Sequence, residues 1–241
     1  MKYAYATTKG IKPKNEDSIL VGSQVLNDGL YESDDKVTIF AVADGVSSNK
    51  GGDVASYTLL DELKILNNQT VTKEIINDVI SSAKNKLISI ISENNTFNDM
   101  ATTLSCVIID NDIKAFNLGD SPIFIYKFGA LRRISKEHTL FNDMLIAGLI
   151  EADDTTVNRH IITKYIDAFH NFPFELKENI KVNQNDYVLI SSDGLIEQLD
   201  EEIIENVLCS DASLKEKVDG LIKLALARGT TDNISVILIQ L

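Results

Sequence analysis

At 241 residues, with 44% hydrophobic and 24% charged residues, the sequence has the composition of one large globular unit and excludes a disordered chain. Its formal net charge of -13 disfavours a nucleic-acid footprint or an anionic-membrane surface, because both require clustered Lys and Arg. No apolar run is long enough to span a bilayer and no secretory stretch follows Met1-Lys2-Tyr3-Ala4, so the expectation is a cytoplasmic protein whose cysteines, Cys106 and Cys209, are reduced and at least half-buried.

Near the start, Asn15-Glu16-Asp17 precedes the apolar run Ser18-Ile19-Leu20-Val21 and places two carboxylates where a strand begins. The strand predicted over 37–43 delivers Asp44 to its end, and Gly45, lacking a Cβ, lets the backbone carbonyl approach a ligand. Helical periodicity follows over 54–66, through Val54, Ala55, Leu59, Leu63 and Leu66, and over 71–91, through Ile75, Val79, Ala83, Leu87 and Ile91. Both helices are expected to pack on a sheet.

Strands are predicted over 102–109, 113–118 and 123–127. The turns between them, Asn111-Asp112 and Asp120-Ser121-Pro122, predict antiparallel neighbours, and the second lies within the acidic signature Asn117-Leu118-Gly119-Asp120-Ser121. From 138 to 174 the pattern loosens around Gly148, Asp153-Asp154 and Pro173, as in a flap over a site. A strand over 187–191 ends in Ser192-Asp193-Gly194. A capping box from Ser213 to Glu216 then opens a helix through Val218, Leu221, Ile222 and Ala225 that stops at Gly229, and Thr230-Thr231-Asp232-Asn233 precedes a last strand over 234–239.

An Asp beside a Gly or Asn is a routine turn feature, so each acidic signature is weak alone. Their set and order are specific. Together with Gly51-Gly52-Asp53-Val54-Ala55-Ser56, Met100-Ala101-Thr102-Thr103 and Ser135-Lys136-Glu137-His138-Thr139, they resemble the metal-dependent (PPM, type 2C) protein Ser/Thr phosphatases of bacterial type over essentially the whole chain. The resemblance implies an α+β fold: a four-layer α-β-β-α sandwich of two stacked, mainly antiparallel sheets flanked by helices. This would be a single domain over 1–241, with a flap at about 138–174 and the metals in a channel at one edge.

The resemblance further implies two Mn²⁺ or Mg²⁺ ions. Asp44 would bridge both, with the Gly45 carbonyl on one and Asp193 and Asp232 on the other. Glu16 would act through a water, Asp120 would serve a third, weaker site, and Asp17 and Asn233 would support the ligands. All-oxygen ligation suits hard cations, whereas His138, His160 and His170 lack the spacing and Cys partners of a zinc site and read as structural. The implied activity is hydrolysis of phosphoserine and phosphothreonine in proteins by a water shared between the cations, opposing a Ser/Thr kinase and needing no covalent phosphoenzyme. A monomer is the default.

Two departures from the family pattern stand out. Lys12 occupies the place of an Arg that grips the substrate phosphate, and it offers a point charge in place of a bidentate fork. Val46-Ser47-Ser48-Asn49-Lys50 separates Gly45 from Gly51-Gly52 where relatives carry a small or His residue and then Gly-Gly. These departures motivate an alternative, a catalytically impaired pseudophosphatase serving as a binding or regulatory module. A two-metal nuclease is disfavoured by the acidic balance.

Overall fold

The computed structural model describes residues 1–46 and 50–241, so the part of the altered loop at 47–49 lies outside the described residues. In chain order the elements are β1 (Lys2–Thr8), β2 (Asp17–Val21), β3 (Gln24–Leu26), β4 (Gly29–Ser33), β5 (Ile39–Asp44), α1 (Gly52–Leu63), α2 (Lys73–Glu93), β6 (Ala101–Thr102), β7 (Leu104–Ile109) and β8 (Ile113–Leu118). They continue with β9 (Ile123–Lys127), β10 (Ala130–Arg133), α3 (Leu140–Ile146), β11 (Ile166–Asp167), β12 (Tyr187–Ser191), α4 (Asp193–Ile196), α5 (Glu201–Cys209), α6 (Leu214–Ala227) and β13 (Ile234–Gln240).

A six-stranded sheet runs β10-β9-β12-β13-β1-β4 and a five-stranded sheet runs β3-β2-β5-β7-β8, with every pairing antiparallel. Strand alternation explains the layers. In β13, Ser235 aside, Ile237 and Ile239 point between the sheets with Tyr3, Phe40 and Val188, while Ile234, Val236 and Leu238 point outward to Leu214, Val218, Leu221 and Ala225 of α6. On the other sheet, Ile19, Phe40 and Val42 face inward, and Leu20, Ile39, Ala41 and Ala43 face Leu59, Leu60 and Leu63 of α1. Strands buried on both faces must be apolar at nearly every position, which is why they read as continuous runs. The result is the expected four-layer α-β-β-α sandwich.

Several expectations need correction. β8 and β9 belong to different sheets, so Asp120-Ser121-Pro122 is a crossover between layers and does not join antiparallel neighbours. Pro122 begins no ladder, and the chain turns through it to pair β9 with β12 instead. In α2 the buried face is carried by Ile76, Ala83 and Leu87, whereas Ile75 is exposed. Cys106 is buried as expected, but Cys209, at the last turn of α5, is exposed. The stretch 138–174 contains α3 and β11, the latter pairing with β6, so it is partly regular. Among the described residues, no helix is long and apolar enough to cross a membrane.

Candidate active site

Strand ends from both sheets converge at one edge of the sandwich. β5 ends in Asp44, directly opposite Asp17 at the start of β2. The Asp44 backbone is fixed on both sides: its N–H donates to Thr103 Oγ1 at 3.1 Å, and its carbonyl accepts from the Thr103 N–H at 2.8 Å and Thr102 Oγ1 at 3.0 Å. The pair Thr102-Thr103 therefore sets the height at which the carboxylate leaves the sheet.

Gly45 is required sterically. A Cβ there would lie 2.4 Å from the backbone of Gly52, the first residue of α1. Its N–H donates to the Glu16 carbonyl at 3.1 Å, and that carbonyl also accepts from Ser56 Oγ at 2.6 Å. The Glu16 N–H donates to Asn233 Oδ1 at 2.9 Å, while Asn233 Nδ2 donates to the carbonyls of Lys9 at 3.1 Å and Lys14 at 3.0 Å. Asn233 thus ties the 9–16 loop to the start of β13 and holds Glu16 beside the other acids.

From the second sheet, β12 ends at Ser191 and Asp193 opens the short α4. Gly194 is packed so closely that a Cβ would meet the Asn233 carbonyl at 2.0 Å, which brings the 193 and 232 loops together. The Asp232 Oδ1 accepts from Lys12 Nζ at 2.5 Å and from the Asn233 N–H at 2.6 Å. Asp120 leaves the end of β8, its carbonyl held by Arg133 Nη2 at 2.6 Å.

Carboxylates packed this closely resist ionisation. Burial pushes Asp44 well above the usual carboxylate range, with the charges of Asp17, Asp193, Asp120 and Asp232 adding to the effect. Burial raises Asp17 to about 7 against the hydrogen bonds of Ser235 and Ser192, and it raises Asp120 to about 7 with the charge of Asp193. Asp193 is raised by burial and by Asp232, with a hydrogen bond from Asp44 opposing. Burial likewise raises Glu16, against the pull of Lys12.

Two of these acids also keep a buried oxygen, Asp17 Oδ1 and Asp120 Oδ1, without a hydrogen-bond partner among the described residues. Unsatisfied buried oxygens on mutually repelling carboxylates are the donor set a hard divalent cation fits.

The site residues expected from sequence are therefore gathered at one place, with two refinements. Asp17 is itself buried among the acids and accepts from Ser235 Oγ at 2.7 Å. Lys12 lies within the cluster as an ion-pair partner of Asp232, and its ammonium is held charged: burial opposes this, but the bond to Asp232 and the charges of Asp232, Asp44 and Glu16 prevail.

His160, read as structural from sequence, is brought from the flap to the site. Its Nδ1 lies 3.0 Å from Glu197 Oε1, and donor atoms of His160, Asp193 and Glu197 lie within 4.8 Å of one another. No local motif announces this contact, because it depends on where the flap settles.

A family model described as protein phosphatase 2C matches residues 18–225. A serine/threonine phosphatase, stp, of Listeria innocua is 27% identical, with 100% of this chain and 96% of the relative covered. The protein phosphatase PhpP of Streptococcus pneumoniae is 26% identical over 85% of this chain and 86% of the relative. Among solved structures, the serine/threonine phosphatase PstP/Ppp of Mycobacterium tuberculosis superposes with a TM-score of 0.83 at 23% identity, covering 99% of this chain and 97% of that one. A PstP catalytic domain in complex with two manganese ions gives a TM-score of 0.79 at 22% identity, with 99% and 98% covered.

Proposed function

The chain belongs to the protein phosphatase 2C family, and from that premise we propose that it hydrolyses phosphoserine and phosphothreonine in proteins at two divalent cations held by Asp44, Asp193 and Asp232. The observation that carries this reading is the convergence of these carboxylates from two sheets, with Asp44 and Asp193 raised in proton affinity by burial and with buried oxygens of Asp17 and Asp120 nearby that no donor among the described residues satisfies. Asp44 sits centrally and would bridge, the Gly45 carbonyl would add a neutral donor, and Asp193 and Asp232 would complete one side. Glu16 would act through a water, and Asp120 would serve a third, weaker cation.

When bound, Mg²⁺ or Mn²⁺ supplies a water acidified toward neutral pH and neutralises charge on the phosphoryl oxygens. The chain's own residues supply position. Thr102 and Thr103 fix the backbone of Asp44, Asn233 fixes Glu16 and orders the 9–16 loop, and Arg133 fixes the backbone at Asp120. Lys12, carried on that loop and paired with Asp232, would supply the positive charge that attracts the substrate phosphate.

The substrates would be phosphoproteins modified by a Ser/Thr kinase, the protein acting as a cytoplasmic monomer. Retention of Asp44, Asp193 and Asp232 in one cluster speaks against the binding-module alternative.

The test is phosphate release from a phosphothreonine peptide by purified protein in EDTA, Mg²⁺ or Mn²⁺, with Asp44→Asn as the control. Metal-dependent release lost in the control is expected. Undiminished release by Asp44→Asn would remove the carboxylate assignment, and no release with either metal would reinstate the binding-module reading.

A further inference from the structure

A cavity lies apart from the carboxylates, between the β8 edge of the five-stranded sheet and the segment 173–177. Its volume is about 210 Å³, and its walls include Phe116, Ile134 and Phe174, the two rings lying 5.1 Å apart. Its polar lining is unusual for a chain of formal net charge -13, because Lys136, Lys164 and Lys177 converge there with His138, opposed by the single carboxylate Glu175.

Two of the three lysines are committed. Lys177 Nζ donates to the Ile134 carbonyl at 2.7 Å, and Lys136 Nζ pairs with Glu175 at 3.2 Å. Lys164 is half-buried and has no hydrogen-bond or ion-pair partner among the described residues. A concentration of positive charge in a partly apolar recess, with one ammonium unmatched, is complementary to an anion.

The second observation is His138. It is 6% exposed and lines the cavity. His138 Nδ1 lies 3.2 Å from both the nitrogen and the carbonyl oxygen of Gly119; among the described residues the Gly119 N–H has no other acceptor, whereas that carbonyl already accepts from the His138 backbone N–H at 3.1 Å and from Asn117 Nδ2 at 3.3 Å. Hydrogen-bond accounting therefore makes Nδ1 the acceptor and puts the imidazole proton on Nε2. Nε2 has no partner among the described residues. Burial, then Lys164, hold this ring neutral down to about 4, so it remains a neutral donor at working pH.

We propose that this cavity binds a small organic anion, a carboxylate or phosphate borne on a ring, with His138 Nε2–H and the Lys164 ammonium gripping the anionic group and the ring lying against the wall that Phe116 and Phe174 form together. The reading is independent of the cation cluster, although Gly119 connects the two, since it is bonded to His138 and adjoins Asp120.

The test uses the full chain loaded with Mg²⁺ and labelled with ¹⁵N, titrated with benzoate and, separately, with benzamide, its neutral isostere. Benzoate should shift the His138 side-chain nitrogens and the Gly119 amide saturably, and benzamide should not. Lys164→Ala should weaken benzoate by about tenfold, the size expected for losing one ammonium contact in a half-buried site, and Lys164→Arg should retain most of the affinity. Equal responses to benzoate and benzamide, or no saturable shift at either reporter, would overturn the proposal. So would unchanged affinity in Lys164→Ala. Because the first comparison uses the native chain, it decides the matter even if a variant folds poorly.

Discussion

The buried acids make metal-free protein a strained version of the molecule, and Asp17→Asn tests this directly. Asp17 is 1% exposed, and burial has raised it from an ordinary 3.8 to about 7. An acid whose folded-state value is raised costs nothing below about 3.8, where both states are protonated. It destabilises the fold progressively as pH rises toward 7, because the unfolded chain ionises first, and the cost is complete above that. At about 1.36 kcal/mol per pH unit, the window from 3.8 to about 7 corresponds to about 4 kcal/mol.

Asparagine removes this cost while its carbonyl can still accept from Ser235 Oγ. Urea denaturation in EDTA at pH 5 and pH 8 should therefore find the stability of Asp17→Asn, relative to the parent, improving by up to about 3 kcal/mol between the two pH values. Adding Mn²⁺ should reverse the order at pH 8, because the parent's carboxylates then have a counter-charge. A variant equally destabilised at both pH values would refute the argument that Asp17 is an unrelieved buried charge.

Three further outcomes follow from particular contacts. Lys12→Ala should tighten Mn²⁺ binding measured by calorimetry, by several-fold to about tenfold, because the ammonium that competes for Asp232 is gone, while the KM for phosphopeptide rises; looser metal binding would show that Lys12 does not compete. Gly194→Ala should lose at least about 2 kcal/mol in denaturant titration, since its Cβ would lie 2.0 Å from the Asn233 carbonyl and must push the 232–233 turn aside. His160→Ala should leave global stability within about 1 kcal/mol, as for an exposed pair, yet speed hydrogen exchange in the flap by releasing its bond to Glu197.

The parts legible in the sequence are those where one physical demand dominates. Tyr187–Ser191 and Ile234–Gln240 are apolar on both faces because both faces are covered, and α6 announces itself by the Ser213–Glu216 capping box, which the structure forms on both of its hydrogen bonds. β1 escaped because alternating Tyr and Ala carries a modest apolar signal, although Tyr3 and Tyr5 are buried between the sheets and Ala4 and Ala6 allow α6 to approach closely. α5 escaped because its stripe is short, with only Ile204 and Leu208 fully buried. The turn at Asp120-Ser121-Pro122 was visible as a turn, but whether a strand returns to its own sheet or crosses to another is decided by long-range pairing with β12.

The same division applies within the site. Asp44, Asp193 and Asp232 stand out in the sequence by their set and order, since each lies at the end or start of a strand where a single Asp would be a routine turn residue. Lys12 could be located but not placed, since a flexible four-carbon stem reaches either an incoming phosphate or a neighbouring carboxylate. The nearest demand within its reach is the carboxylate, and Lys12 binds Asp232 and moderates the repulsion among the acids. Arginine in this position would be costlier to detach from a carboxylate, because its planar fork can make two bonds where Lys makes one. Lys12 is therefore suited to the exchange that the proposed site would require: it pairs with Asp232 as the structure stands, and it would yield that carboxylate to a cation and leave its own charge for the substrate phosphate.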